Sequence, residues 1–355
     1  MKIKKISFGR IFWPSLLASS IVALIIALVT VLLIGGLFPD KPEYSVKTNS
    51  ILHMQLNGNI RENSKIEINP GSLTINHTIG LADVLYGIKK AKEDQNIKGI
   101  FLEVDNLSCG YASASEIRKA LNDFQNSGKF IQAYNKGEVI TLKEYYLSSV
   151  ASSNYGFPSS MMEFGGLGAE LMYYKNMLDK LDVEMQVIRG KNNDFKSAVE
   201  PYFRNNMSDS SRLQTETFLS GIWKEIKAEI SNSRSIAPTQ LDKIADSTFV
   251  RRASDAVKYK LLDGIKYRDE VLQDLATRVS LNDVEDLSLV KFDEYAKKKF
   301  YAKQTINRAK KANVAVILAE GEIATTGAEF SSNEIVKLFI KVRLNDDIET
   351  VIFRV

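Results

Sequence analysis

The stretch from Ile11 to Phe38 carries no charged side chain, and this constrains the chain more than any other feature. From Ile21 to Leu37 it is almost entirely Ile, Val, Leu and Ala. A helix of that length spans the ~30 Å hydrocarbon core of a bilayer. A cleaved signal peptide has an apolar core of only about 7–15 residues, so the length favours a retained anchor. Lys2, Lys4, Lys5 and Arg10 precede the run and Asp40 follows it. Basic flanks stay on the cytoplasmic side, which predicts a cytoplasmic N-terminus and an extracytoplasmic bulk. Phe12 and Trp13 at the near edge fit an interfacial aromatic belt.

The formal net charge is +4, from 47 Lys+Arg against 43 Asp+Glu. The four cations of the first ten residues account for this excess, and the remainder is balanced. A nucleic-acid partner needs a basic face on the folded domain, so none is expected. Cys109 is the sole cysteine, which leaves no internal disulfide framework. With only His53 and His77 beside it, no structural metal site is expected, nor is any cofactor.

Pro39 to Lys47 is polar and reads as a linker. Beyond it strands and helices alternate. Ile51–Leu56 reads as a strand ending at the turn signal Asn57-Gly58. Leu81, Val84, Leu85, Ile88 and Ala91 recur at helical spacing. Ile97–Val104 is a short apolar run of the buried-strand kind. Ser113 and Glu116 form a capping-box pattern before Ile117, Ala120, Leu121 and Phe124. Phe130–Tyr134 is another strand. Such alternation implies βαβ units and a mainly parallel sheet. Further on, Leu171, Tyr174, Leu178 and Leu181 line a helix face, and Val183, Met185 and Val187 alternate as a strand. Leu219, Ile222, Trp223, Ile226 and Ile230 mark a long helix after Met207-Ser208. The Met and Trp residues of this region are expected in the core.

The last segment repeats the first. Leu81–Val104 (LADVLYGIKKAKEDQNIKGIFLEV) aligns with Ser332–Val355 (SNEIVKLFIKVRLNDDIETVIFRV). Upstream, Ile51–Leu56 with Asn57-Gly58 matches Val314–Ala319 with Glu320-Gly321. Strand, turn, helix, acidic turn and strand agree in order, as a duplication predicts. Functional loops of α/β sheets follow the C-terminal ends of strands. The second copy's loop is therefore expected just past Val355, and the chain is expected to be truncated before it.

Four segments resemble the signal peptide peptidase A (protease IV) family of serine proteases, in its long tandem-repeat form. They are Ile97–Leu121 (IKGIFLEVDNLSCGYASASEIRKAL), Gly165–Glu170 (GGLGAE), Asp194–Phe203 (DFKSAVEPYF) and Leu261–Leu275 (LLDGIKYRDEVLQDL). The tail Asp346–Val355 resembles the strand that leads into the family's nucleophile loop. The K-S-A-V-E-P-Y stretch is the most specific part. The resemblance implies an α/β fold of the Clp-protease/crotonase type, a spiral of ββα units, preceded by one N-terminal transmembrane helix. It implies a cytoplasmic tail over 1–10, a transmembrane helix over 11–38 and a linker over 39–47. A first peptidase repeat with a helical extension follows over 48–310, and a second repeat starts over 311–355.

By the same resemblance Lys196 is the general base, and a serine from a glycine-rich turn of the second copy is its partner. The chemistry is sound without histidine. A serine hydroxyl needs a base to take its proton as it attacks an amide, and a Ser–Lys pair supplies one. The lysine has to be neutral to act. Phe195, Ala198 and Val199 are expected to give apolar walls, and Glu200 to point elsewhere. Ser197 neighbours Lys196, but adjacent side chains on regular elements do not face each other. Ser288-Leu289-Val290-Lys291 matches the S-x-x-K pattern of penicillin-binding enzymes, but that pattern works on a helix and this stretch looks extended. The loop Asp105–Ser113 holds Ser108 and Cys109, yet Gly110 falls at the serine's place, so it reads as a degenerate counterpart.

The expected function is a membrane-anchored serine endopeptidase that degrades cleaved signal peptides, assembled as a homo-oligomeric ring or dome in the bacterial cytoplasmic membrane. This chain alone, without the serine, is expected to be inactive. The rival is a non-catalytic membrane scaffold of the same fold. A crotonase-type acyl-CoA enzyme ranks last, because an outward-facing domain has no acyl-CoA supply. No metal, cofactor or nucleic acid is implied.

Overall fold

A computed structural model describes residues 8–37, 46–69, 74–296, 313–325 and 330–355. The chain divides into two units, Met1–Ser45 and Val46–Val355. The start of the basic tail and most of the linker fall outside the described residues.

In the first unit, α1 (Phe8–Leu37) is one 30-residue helix with Pro14 inside its N-terminal part. Its window Phe12–Thr30 has a mean hydropathy of 2.2 and is not buried within the protein. Two of its hydroxyls turn back onto the helix: Ser19 Oγ donates to the Leu16 carbonyl at 2.9 Å, and Thr30 Oγ1 to that of Ile26 at 2.7 Å. Such back-bonding satisfies a hydroxyl in apolar surroundings. By length and composition this helix can cross a membrane.

The second unit begins with β1 (Ser50–Asn59), the hairpin β2 (Lys65–Asn69) and β3 (Thr74–Thr78), α2 (Leu81–Glu93) and β4 (Ile97–Ser108). Then come α3 (Tyr111–Gln125), β5 (Phe130–Asn135), β6 (Val139–Ile140), α4 (Leu142–Ser148), β7 (Ser153–Gly156) and β8 (Met161–Met162). A helical stretch holds α5 (Lys175–Lys180), α6 (Glu200–Phe203), α7 (Asp209–Arg234), α8 (Pro238–Asp246) and α9 (Ala253–Lys258). β9 (Gly264–Ile265), α10 (Arg268–Arg278) and β10 (Leu289–Lys291) lead back to the sheet. The order is completed by β11 (Val314–Leu318), β12 (Ile323–Ala324), β13 (Phe330–Ser331), α11 (Ser332–Arg343) and β14 (Thr350–Arg354).

The central sheet has the order β10-β1-β4-β5-β7-β9 and is parallel throughout. From β1 to β7 each crossover steps the same way, so the right-handed rule sets α2, α3 and α4 on one face. The return from the β9 edge to the β10 edge reverses direction and sets α10 on the other. There Val271 and Leu275 pack with Ile51, Phe101 and Tyr134. With both faces covered, β4 is buried almost continuously from Gly99 to Val104, the mark of a central parallel strand. Gly99 is needed there, since a Cβ would come within 2.5 Å of the Phe130 ring.

The α/β class and the parallel sheet match the expectation; several local readings need correction. Asn57-Gly58 does not end β1, which runs on to Asn59. The register shifts beside it, Asn57 facing Asp105 and Gly58 facing Leu107. The extra residue is Asn106, at φ +49°, so the signal marks a bulge rather than a turn. Ser113 and Glu116 do not cap a helix either: α3 starts two residues earlier, with Gly110 at its N-cap. Leu171 lies outside α5, which is only six residues long and has no buried residue. Val183–Val187 pairs with no strand among the described residues. Met172, Met177 and Met185 are exposed instead of core, while Trp223 is half-buried. Where a segment packs against nothing in its own chain, periodicity has no face to act on.

The two segments aligned in sequence are also alike in local structure. β11, α11 and β14 follow the order of β1, α2 and β4, and both strand pairs are parallel. The register is also the same: Ile51 faces Gly99 in the first copy, and Val314 faces Thr350 at the aligned places in the second. Arg354 accordingly occupies the place of Glu103.

Candidate active site

Lys196 lies in a turn that leads into α6, where Pro201 stands in the first turn. Proline suits that position because its missing N–H would have no partner there. The Lys196 backbone N–H donates to the Asn193 carbonyl at 2.9 Å. Arg189 Nη2 donates to the carbonyls of Asn193 at 2.6 Å and Lys196 at 3.1 Å, tying the turn together. The Lys196 side chain is exposed. Among the described residues, no hydrogen bond or ion pair holds its ammonium.

Glu200 is 2% exposed and its carboxylate is fully engaged by α7. Oε1 accepts from Ser208 Oγ at 2.6 Å and Oε2 from the Ser208 N–H at 3.1 Å. Ser208 in turn caps α7, accepting from the Ser211 N–H at 3.2 Å. Glu200 thus points away from Lys196, as expected. The expected apolar walls are not closed by the neighbours: Phe195 is 58% exposed, Ala198 is exposed and Val199 half-buried.

The end of β4 and the loop after it are held from α4. Glu144 Oε1 accepts from the Leu107 N–H at 3.0 Å, and Lys143 Nζ donates to the Cys109 carbonyl at 2.5 Å. Burial pushes the Cys109 thiol up, against a smaller opposing pull from Lys143. A reactive cysteine needs the reverse, so Cys109 is not an activated nucleophile. Ser288 and Lys291 flank and end the extended β10, where an offset of three places side chains on opposite faces. Ser288 Oγ instead lies 2.9 Å from Ser50 Oγ.

Gly165 and Gly166 of the GGLGAE segment line a cleft of about 530 Å³, together with Leu142, Met161, Phe164 and Arg251. The sequence reading named the segment but not the cleft.

The sequence reading also missed a buried charge cluster on the α10 face of the sheet. Glu103 is 1% exposed, in the middle of an apolar strand. Its Oε2 lies 2.6 Å from His53 Nε2 and accepts from Gln55 Nε2 at 2.9 Å, while Oε1 accepts from Arg268 Nε at 2.8 Å. Burial by itself would raise its pKa. The hydrogen bonds from His53, Arg268 and Gln55 outweigh that and hold the carboxyl at about 2, against an ordinary 4.5. A single acid interrupting the run Ile97–Val104 was the available signal.

Comparison with known proteins adds the family. Residues 124–282 match the model of Peptidase family S49. Protease 4 of Salmonella typhi is 36% identical over 162 residues, covering 45% of this chain and 26% of that protein. The chloroplastic serine protease SPPA of Arabidopsis thaliana is 26% identical over 320 residues, covering 88% of this chain and 45% of that one. A solved structure, the 1510-N membrane-bound stomatin-specific protease, aligns with a TM-score of 0.39 at 12% identity, covering 69% of this chain and 97% of its own. The chain spans between a quarter and just under half of the two curated relatives. The S49 match over residues 124–282, with the Protease 4 and SPPA relatives, makes this chain similar to the signal peptide peptidase A family of serine proteases.

Proposed function

We propose that the whole protein is a membrane-anchored endopeptidase acting on cleaved signal peptides through a Ser–Lys dyad, and that this chain supplies the base, Lys196. One observation carries the reading: Glu200, the carboxylate of the K-S-A-V-E-P stretch, is consumed by the α7 cap, and the Lys196 ammonium has no acidic partner among the described residues. A lysine paired with a carboxylate would stay protonated and could not act as base. On this reading the serine stands in the loop after β14, the second copy's counterpart of Asp105–Ser113. Lys196 takes the hydroxyl proton as Oγ attacks the peptide carbonyl, then returns it to the leaving amine. No metal or cofactor enters.

Lys196 is exposed in the single chain, so its enclosure comes from the rest of the whole protein or from a neighbouring subunit. Exposed Leu171, Met172, Leu181, Ile188 and Phe195 beside it support an assembled ring or dome. α1 crosses the cytoplasmic membrane with its N-terminus inside, placing the peptidase outside. The same exposed residues would serve a non-catalytic scaffold, so the deciding measurement is turnover. In the whole protein, Lys196→Ala and Lys196→Met abolish peptide hydrolysis while leaving folding intact. Lys196→Arg fails as well, because a guanidinium does not deprotonate in this pH range. The loss lies in kcat and is roughly 10²–10⁴-fold or more. Lys291→Ala stays near the parent rate. Retained turnover in Lys196→Ala would overturn the assignment, and a parent without turnover would favour the scaffold.

A further inference from the structure

The end of β14 is gripped by the first copy of the fold. Arg354 Nε lies 2.7 Å from Glu62 Oε2, and its Nη2 lies 2.9 Å from Glu62 Oε1. The same Nη2 lies 2.8 Å from Glu116 Oε1, and Nη1 lies 3.1 Å from Glu116 Oε2. One guanidinium therefore forks onto two carboxylates, the geometry in which arginine pairing is strongest. Beside it Glu320 accepts from Arg61 Nε at 3.3 Å and from the Glu62 N–H at 3.2 Å. Isolated surface pairs contribute little, but bidentate pairs joined in a network are the exception. The bonds from Glu116 and Glu62 push the Arg354 guanidinium further above its already high ordinary value.

The placement matters more than the strength. Glu62 follows the end of β1, and Glu116 lies in α3 directly after the loop Asp105–Ser113. Both partners therefore sit at the C-terminal ends of the first copy's strands, where α/β sheets carry their sites. In the second copy Arg354 is the last residue of β14, and its carbonyl accepts from the Ala319 N–H at 2.8 Å. At the matching place the first copy has Glu103, whose partners are His53, Gln55 and Arg268 of its own copy. The charge is inverted, and the partners have moved from the same copy to the other.

We propose that Arg354 is a positioning residue: by gripping Glu62 and Glu116 it fixes the end of β14 against the first copy's strand ends and sets where the following loop presents its serine to Lys196. This rests on the Ser–Lys reading. A misplacement of about 1 Å at a reacting group can cost roughly a hundredfold in rate.

The test has two arms. In the whole protein, Arg354→Gln lowers kcat roughly a hundredfold with little change in KM, as expected when only the alignment of reacting groups is lost. Arg354→Lys recovers part of the rate, since an ammonium keeps the charge but not the fork. The pair Glu62→Arg with Arg354→Glu recovers more than either change alone. In the 355-residue chain, hydrogen exchange is followed at Val314–Ala319 and Thr350–Arg354. Arg354→Gln speeds exchange there and leaves β4 and β5 protected, which also shows that the variant is folded. Full turnover in Arg354→Gln would overturn the positioning role, and unchanged exchange would overturn the grip. Should Lys196→Ala stay active, the dyad reading falls and takes the catalytic role with it, while the exchange arm still decides the grip.

Discussion

Among single residues, Lys196 and Glu103 were unequally legible. Lys196 could be singled out because K-S-A-V-E-P is a specific motif. Glu103 could not, because one acid in an apolar run does not announce the three donors gathered around it from β1 and α10. Those donors lie 48, 50 and 165 residues away in sequence. The cluster has a measurable consequence. With its carboxyl held at about 2 in the fold against an ordinary 4.5, Glu103 binds a proton more readily when unfolded. Its stabilisation is therefore complete above pH 4.5 and is lost as the pH falls toward 2. The difference corresponds to about 3 kcal/mol. Glu103→Gln is expected to lower stability by about that amount at neutral pH, and its stability falls less steeply through the acid range than the parent's. Denaturant titrations at several pH values measure both. Parallel curves for the two proteins would show that the cluster does not stabilise the fold.

At the level of elements, the parts that pack inside their own chain were read best. β1, α2, β4, α3 and β5 follow their apolar periodicity because the sheet gives each a face to bury, and α7 follows its own where it meets α8. Boundaries were weaker: α3 starts at Tyr111, capped by Gly110, because the bulged end of β4 leads almost straight into it, which no capping pattern encodes. The segment 171–190 was misread for the opposite reason, since its apolar residues face solvent in this chain. Glu200 shows how a residue of the K-S-A-V-E-P stretch serves as structural support. Its carboxylate holds Ser208, and Ser208 holds the first turn of the 26-residue α7. Ser208→Ala is expected to cost about 1 kcal/mol, the usual effect of losing an N-cap. Glu200→Ala leaves both donors of Ser208 without their buried acceptor and is expected to cost about 1–3 kcal/mol. Thermal unfolding with exchange at residues 209–213 checks both. A neutral Glu200→Ala would return that carboxylate to consideration as a partner of Lys196.

For the whole molecule, the repeat and the apolar helix organise everything else. The repeat was read from matching order and spacing, and the two strand pairs also share their register. The contacts between copies were not legible, because Glu62, Glu116 and Arg354 are ordinary surface residue types until the fold brings them together. The anchor yields the last prediction. Beyond Arg10 α1 is uncharged, and its window Phe12–Thr30 is apolar on every side and has no burial within the protein. A helix hydrophobic on every side belongs in a core or in a bilayer, and this one has no core to enter among the described residues. The full chain is therefore expected to stay with membranes through high salt and alkaline carbonate and to leave them only in detergent. Removal of residues 1–45 should release a folded, water-soluble unit, since Val46–Val355 forms its own compact body. The cations ahead of the run are expected to set the orientation. Protease added to intact cells should spare the ectodomain until the outer barrier is opened, then digest it while the first ten residues stay protected. Carbonate extraction of the full chain would exclude a spanning helix. Digestion from the cytoplasmic side alone would keep the span but reverse the topology, and would place Lys196 on the cytoplasmic face.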